Sequence, residues 1–347
     1  MISEILVTPQ AVAWLPWAVQ YFFYIGSAYG AALLLWLALR GGERYSVTLV
    51  HSLALVLLIS AIVGPLALTA DLHQPGRAWH FFAYLTPGSW MSRGALLLPI
   101  FSALAVVTAW LCLRPALLTT TVRGARFWRR LALGQWQISP TALRRCALLT
   151  LLSGASIALY TGSEVWVLAA RPLWHQWMLP WLWLCSAPLA SVGLGLLIAG
   201  LLGQRLTAGD GRLLRLTLWI SALSSLILLA LWLYWPLASV TQVGRHFMRF
   251  QAWPTLSLLA MTLLAATWLL RLRWLLAILT LASAAALRWL TLIDVQRVAR
   301  YDAGIYPYSV PAGSEGWLGI AAMAGLWICL AALLTELIET RSDAAER

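Results

Sequence analysis

Lysine is absent from this chain, and acidic residues are scarce: 12 Asp and Glu stand against 24 basic residues, all of them arginine. The missing lysine carries no functional meaning. The shortage of charge does. Only 10% of the 347 residues are charged, whereas a soluble domain holds about a quarter, so a water-soluble globule is excluded. Cysteine is also rare. Cys112, Cys146, Cys185 and Cys329 make no C-x-x-C pair and fall inside or at the ends of apolar runs. That leaves no cysteine framework for an iron–sulfur cluster or a zinc site. There is no H-E-x-x-H and no His/Cys cluster, so no metal centre is expected. His51 is the only histidine well inside an apolar run. A membrane b-type haem takes axial histidines from facing helices, so no haem is expected either. No serine has a nucleophile-elbow setting. The start, Met1 to Gln10, lacks the basic n-region of a cleavable signal peptide.

What is plentiful is hydrocarbon. The chain is 61% hydrophobic, with a mean hydropathy of +0.80. A bilayer core of about 30 Å takes roughly 20 apolar residues per helix. On that measure about nine spans are expected: Trp14 to Leu39, Ser46 to Ala70, Trp90 to Leu113, Leu143 to Val167, Trp174 to Leu202, Arg212 to Tyr234, Pro254 to Leu270, Leu275 to Ile293 and Glu315 to Leu337. The runs lack the alternation of barrel strands. The expected fold is an all-α integral membrane protein, a single transmembrane domain over residues 1–347. The 22 tryptophans gather near the ends of the runs, as interfacial belts and packing do.

A net charge of +12 would suggest nucleic acid in a soluble protein. Here the arginines are spread over short loops, and no nucleic-acid partner is expected. With the first helix starting outside, 16 arginines fall inside, seven outside, and Arg288 within a helix. That bias predicts a periplasmic N-terminus and a cytoplasmic C-terminus. The segment from Arg114 to Arg145 then lies inside, near anionic lipid. His73, His80, His175 and His246 fall on the outer side, with Asp71, Glu164, Asp294, Asp302 and Glu315. Gln20, Arg93, Tyr160, Glu164 and Arg288 lie in helices near that same face. The densest cluster runs from Asp71 through His73, Arg77 and His80 to Arg93, between two long apolar runs. Polar groups kept at a membrane helix mark function by default.

This chemistry suits quinol oxidation. A quinol needs an apolar slot, partners for its hydroxyls, and a proton acceptor with a way to water. Tyr160 and Glu164, four residues apart, share one helix face, and Gln20 and Tyr24 repeat the spacing in the first span. Asp71 opens the loop after the second span and Arg93 starts the third. The outer ends of the first four helices can therefore surround one pocket. A proton-coupled transporter using Glu164 and Arg288 is the rival class; it calls for broken helices and a midplane site. An inert membrane anchor is a third.

The motif Asp71-Leu72-x-x-Pro75-x-Arg77-x-Trp79-His80, followed by Ser89-Trp90-Met91-Ser92-Arg93-Gly94, resembles the NrfD/polysulfide-reductase family of membrane quinol-oxidising subunits. Tyr160-Thr161-Gly162 is similar to that family's fourth-helix signature. The stretches from Trp14 to Phe23, Pro65 to Gln74, Tyr306 to Ser309 and Gly316 to Leu318 extend the resemblance over nearly the whole chain. It implies a subunit of the bacterial inner membrane without metal or haem of its own. Such a subunit anchors a periplasmic iron–sulfur subunit and a molybdopterin catalytic subunit, and feeds them electrons from menaquinol or ubiquinol. Many relatives carry Gly and Arg where this chain has His73 and Gln74, and some place a His near the start of the first helix. Here Gln20 or His73 stands in for that ligand. The expected roles follow. Tyr160 with His73 or Gln20 binds the hydroxyls. Asp71 or Glu164 accepts protons. Arg77 and Arg93 hold the carboxylates and shape the loop, with Tyr24, His80 and Arg288 in support. The loops Tyr234 to Pro254 and Asp294 to Gly316 receive the partner.

The arginine bias is directly testable. A reporter that fluoresces only in the cytoplasm, fused after Arg347, is expected to be bright. A dark fusion, with an active periplasmic reporter at the same position, would reverse the orientation.

Overall fold

In hydrocarbon every backbone N–H and C=O must find its partner within the protein, which only helices and closed barrels achieve. This chain is helical throughout its apolar runs. A computed structural model describes residues 12–72, 74–122, 125–236, 240–299 and 304–339. Among them, nine helices are long and apolar enough to cross a bilayer. They are α1 (Pro16–Gly41), α2 (Val47–Asp71), α3 (Trp90–Thr119), α4 (Pro140–Trp166), α5 (Met178–Leu201), α6 (Ala208–Tyr234), α7 (Gln242–Ala265), α8 (Arg273–Trp289) and α9 (Trp317–Glu339). The protein is a multi-pass, all-α membrane protein.

Local chemistry sets the ends. Ser46 caps α2 by accepting from the Leu49 N–H at 3.1 Å. At α6, Thr207 and Asp210 form a reciprocal capping box, which starts the helix at Ala208 rather than at Arg212. The fully buried Asp210 also accepts from the Ser46 N–H at 2.9 Å, tying the α1–α2 turn to α6. The seventh span departs furthest from expectation. It starts at Gln242, not Pro254, with Thr241 as its cap, accepting from the Gly244 N–H at 3.0 Å. Its first half holds Arg245, His246, Arg249 and Gln251, which hide it from an apolar window. The helical signal lies in one buried stripe, Gly244, Met248, Ala252, Thr255, Leu259 and Thr262, at spacings of three and four. The expected docking loop before Pro254 is therefore largely helix; residues 237–239 lie outside the described residues.

Helices α1–α4 form one bundle and α5–α8 a second, with α9 outside, packed mainly on α2. The two bundles meet where α1 packs along α5. Small residues permit that approach, as is usual between membrane helices. A Cβ on Gly30 of α1 would collide with the Ser191 hydroxyl and sit 3.2 Å from the backbone of Ala187 and Pro188. The Ser191 hydroxyl donates to the Ser27 carbonyl at 2.9 Å across the same seam.

Several tryptophans are interhelical staples rather than belt residues. The buried indoles of Trp174 and Trp183 donate to the carbonyl and hydroxyl of Thr291, at 2.7 and 3.0 Å. Trp232 donates to the Leu173 carbonyl and Trp327 to the Ser60 hydroxyl. Thr291 lies in a π-helical turn, Leu290–Asp294, that continues α8 as far as Arg297. Such turns are rare and recur at functional sites.

Candidate functional site

A cavity of about 740 Å³ opens among the ends of the first four helices. Each wall follows from helix periodicity. On the approach to α1 and on α1 itself, Trp14, Ala18, Tyr21 and Phe22 face it, at the i, i+4, i+7, i+8 spacing of one helix face. The end of α2 contributes Thr69 and Asp71. The start of α3 contributes Met91, Gly94 and Leu98, and α4 contributes Tyr160 and Glu164. Phe81 and Phe82, from the short helix His80–Ala83, close the mouth. The lining is mostly apolar, with a few polar groups, Tyr21, Thr69, Asp71, Ser102, Tyr160 and Glu164, which is the usual make-up of a small-molecule site.

The polar groups form a short series. The Tyr160 side chain is buried and lies between the hydroxyl of Tyr21 and the carboxyl of Glu164. Tyr21 points toward Tyr160, but its buried hydroxyl makes no hydrogen bond of standard geometry within the protein. A buried hydroxyl left so is costly, and a bound molecule with an oxygen of its own would satisfy it. Glu164 stands in the last turn of α4, two residues before its end.

Tyr160 occupies this place because position 94 has no side chain. A Cβ on Gly94 would overlap the Tyr160 ring. The rest of the wall is held from behind. Trp14 stacks on Phe22 at 5.7 Å and packs at a tilt against Trp174 at 5.4 Å. The buried Gln296 side chain, just past the π turn, accepts from the Ala13 and Trp14 N–H groups at 2.9 Å each and donates to the Trp14 carbonyl at 3.0 Å.

The expected site residues divide. Asp71, Tyr160 and Glu164 are brought together around the cavity. Gln20 and Tyr24 are not: both lie on the far side of α1 from Phe22, and Gln20 is buried with its amide donating to Pro16 at 3.4 Å. His73 lies outside the described residues. His80 flanks the mouth without lining it, edge-on to Trp79 and Tyr84. Arg93 spends its guanidinium on the Pro87 carbonyl at 3.3 Å and on the face of Trp90 at 4.5 Å. It shapes the loop, and among the described residues neither it nor the exposed Arg77 pairs with Asp71 or Glu164. Arg288 sits behind the wall, bonded to the Phe22 and Trp183 carbonyls and the Ser186 hydroxyl. Among the described residues, no three His, Cys, Asp or Glu side chains converge as a metal site requires. Sequence reasoning missed Tyr21, Trp14 and Gly94. The apolar face Trp14–Ala18–Phe22 was the signal that would have chosen Tyr21 over Gln20.

Nine apolar helices among the described residues, four of them enclosing a cavity at their ends, define a multi-pass integral membrane protein. Residues 5–299 match the family described as polysulphide reductase, NrfD. The chain is also 35% identical to a tetrathionate reductase subunit of Salmonella typhimurium (strain LT2), over 97% of this chain and 95% of that protein. The chain belongs to the NrfD family.

The Gly94–Tyr160 contact carries a prediction. Gly94→Ala is expected to destabilise the protein by about 1–3 kcal/mol, the usual cost of overpacking. Gly325→Ala is the control: it lies in α9 with open space around it, where the exchange is expected to be neutral or to stabilise by roughly 0.5–1 kcal/mol. In a Tyr160→Ala background the Gly94→Ala penalty is expected to vanish. Thermal unfolding of the four proteins in one detergent measures this, and equal penalties in both backgrounds would disprove the contact.

Proposed function

We propose that this protein is the quinol-oxidising membrane subunit of a reductase complex of the tetrathionate reductase kind. It anchors a periplasmic iron–sulfur subunit and a molybdopterin catalytic subunit to the bacterial inner membrane, and passes them electrons in anaerobic respiration. The observation that carries the reading is the cavity itself, an apolar slot ending in Tyr21, Tyr160, Glu164 and Asp71. The substrate is menaquinol or ubiquinol. Its ring lies against Phe22 and Leu98, and its tail leaves between the helices toward lipid. Tyr160 and Tyr21 bind one hydroxyl. Glu164 and Asp71 take the protons and release them at the helix ends. Electrons go to a cluster of the partner, docked over the segment after α8. Among its described residues, the Tyr306 N–H donates to the Arg297 carbonyl at 2.8 Å, and that of Trp317 to the Pro311 carbonyl at 2.9 Å.

Proton-coupled transport fits the geometry less well. Of the cavity's polar groups, Tyr21, Thr69, Asp71, Tyr160 and Glu164 lie toward helix ends and Ser102 alone lies nearer the middle of its helix, whereas a transporter site calls for a midplane break.

Tyr160→Phe keeps the ring and removes one hydroxyl. Loss of one hydrogen bond in a dry pocket costs on the order of 1–3 kcal/mol, or roughly five- to a hundred-fold in rate. Quinol-driven reduction in the purified complex is expected to fall by that factor, while reduction driven by an artificial dye feeding the partner subunits stays unchanged. Asp71→Asn and Glu164→Gln are expected to give the same split. Unchanged quinol activity in all three variants would remove the site. Electrons and protons leave on one side in this scheme, so turnover in vesicles is expected to be electroneutral. A sustained potential, abolished by an uncoupler and reported by a potential-sensitive dye, would show a proton path from the other face.

A further inference from the structure

The end of the bundle opposite the cavity holds an unusual concentration of one charge. Between Asp71 and Glu164 there is no acidic residue, yet there are nine arginines. Most lie in or beside the connection from α3 to α4, whose described residues 125–139 are tied to the end of α3 by hydrogen bonds. The buried guanidinium of Arg114 donates to the carbonyls of Ala132 at 2.8 Å, Gly134 at 2.5 Å, and Trp136. It also lies over the Trp136 ring at 4.0 Å. Leu133 and Gly134, at φ of 52° and 94°, turn the chain so that these carbonyls converge. The Trp110 indole donates to the Leu131 carbonyl at 2.9 Å, and Arg129 closes the start of the connection on the Thr120 carbonyl. The result is a knob fixed to the end of α3.

Two of its features have no use within the chain. Arg126 and Arg130, one turn apart on the short helix Ala125–Leu131, are exposed, as are Arg144 and Arg145 in the first turns of α4. Among the described residues none of the four has a hydrogen-bond or ion-pair partner. Beside them Phe127 and Leu133 are 59% and 69% exposed, with Leu131 and Trp136 also open. A loop meant for bulk water would mix in acids and hide its aromatics. Basic and large apolar side chains side by side, at the end of two membrane helices, are what an element lying in the headgroup region carries.

We propose that this knob is a docking surface for anionic phospholipid. Arg126, Arg130, Arg144 and Arg145 pair with headgroup phosphates, and Phe127 and Leu133 enter the acyl boundary. The adjoining apolar side chains select lipid over a soluble acidic protein. The inference is independent of the quinol reading and survives its failure.

The full-length protein, purified in a neutral detergent, supplies the test. Phosphatidylglycerol is expected to raise its thermal midpoint at a concentration about tenfold lower than phosphatidylcholine does, with the advantage shrinking as salt rises. Native mass spectrometry is expected to count retained phosphatidylglycerol on the wild type. The Arg126→Gln/Arg130→Gln/Arg144→Gln/Arg145→Gln variant is expected to lose both signals. Should that variant fail to fold, Arg126→Gln/Arg130→Gln alone, on the exposed helix, is expected to lose about half of the retained lipid. Equal behaviour of variant and wild type, equal responses to the two lipids, or an equal shift from inorganic phosphate would each overturn the proposal.

Discussion

A guanidinium held at membrane depth governs the architecture. Arg288 is 3% exposed, in the last turn of α8, before the π turn that continues the helix. Stripping water from a charge costs several kcal/mol unless fixed dipoles replace it. The protein supplies them from two other helices: the Trp183 carbonyl at 2.9 Å and the Ser186 hydroxyl at 3.1 Å from α5, and the Phe22 carbonyl at 3.4 Å from α1. The Trp183 ring covers the same cation at 5.1 Å. Helices α1, α5 and α8 therefore cannot separate without exposing a charge to hydrocarbon. The consequence reaches the cavity, because Phe22 offers its carbonyl to Arg288 and its ring to the cavity wall. The second bundle thus fixes a wall of a site that lies within the first.

The π turn that follows Arg288 extends this logic. An added residue in the helical ladder shifts the facing of everything after it. In this helix it brings Thr291 under two tryptophans and Gln296 onto the backbone of Trp14. Without Gln296, the N–H groups of Ala13 and Trp14, just ahead of a helix with no side-chain cap, would lack this acceptor. The one polar residue that reaches across 282 positions to serve them also sets where Trp14 stands.

How much of this was legible in the sequence follows the physics of each signal. Hydrophobic length alone located the membrane helices, because the bilayer imposes it. It failed at α7, where five polar residues in the first half outweigh a buried stripe that only periodicity reveals. Tyr160 and Glu164 were legible because spacing of four puts two polar groups on one face. Gln20 was chosen on polarity, and polarity does not say which way a residue faces; the apolar face beside it did, and it pointed to Tyr21. Arg93 was paired with the carboxylates by charge, yet a nearby carbonyl and an aromatic face claimed it instead. Gly94 gave no sign, since the need for an absent side chain appears only once Tyr160 is in place. Trp183 and Trp232 read as interfacial by type but are 1% exposed, because an indole N–H in hydrocarbon is worth burying where a carbonyl or hydroxyl awaits it.

The turn of Gln20 away from the cavity bears on the chemistry proposed for it. A histidine near the start of the first helix, as in some relatives, can bind a quinol hydroxyl and also accept its proton. The first helix here presents Tyr21 instead. A phenol hydroxyl can donate and accept hydrogen bonds, but it holds its own proton at neutral pH. On the proposed reading α1 orients the quinol without deprotonating it, and both protons fall to carboxylates. Glu164 and Asp71 suit that division because they stand on different helices, each in the last turn. Two acceptors on separate exits can each discharge before the next turnover. Two carboxylates sharing one position could not, since like charges side by side keep one of them protonated. On the proposed reading, a tyrosine facing the slot and two acids on separate helices are one arrangement: with no histidine presented by α1, proton acceptance would fall to the ends of α2 and α4.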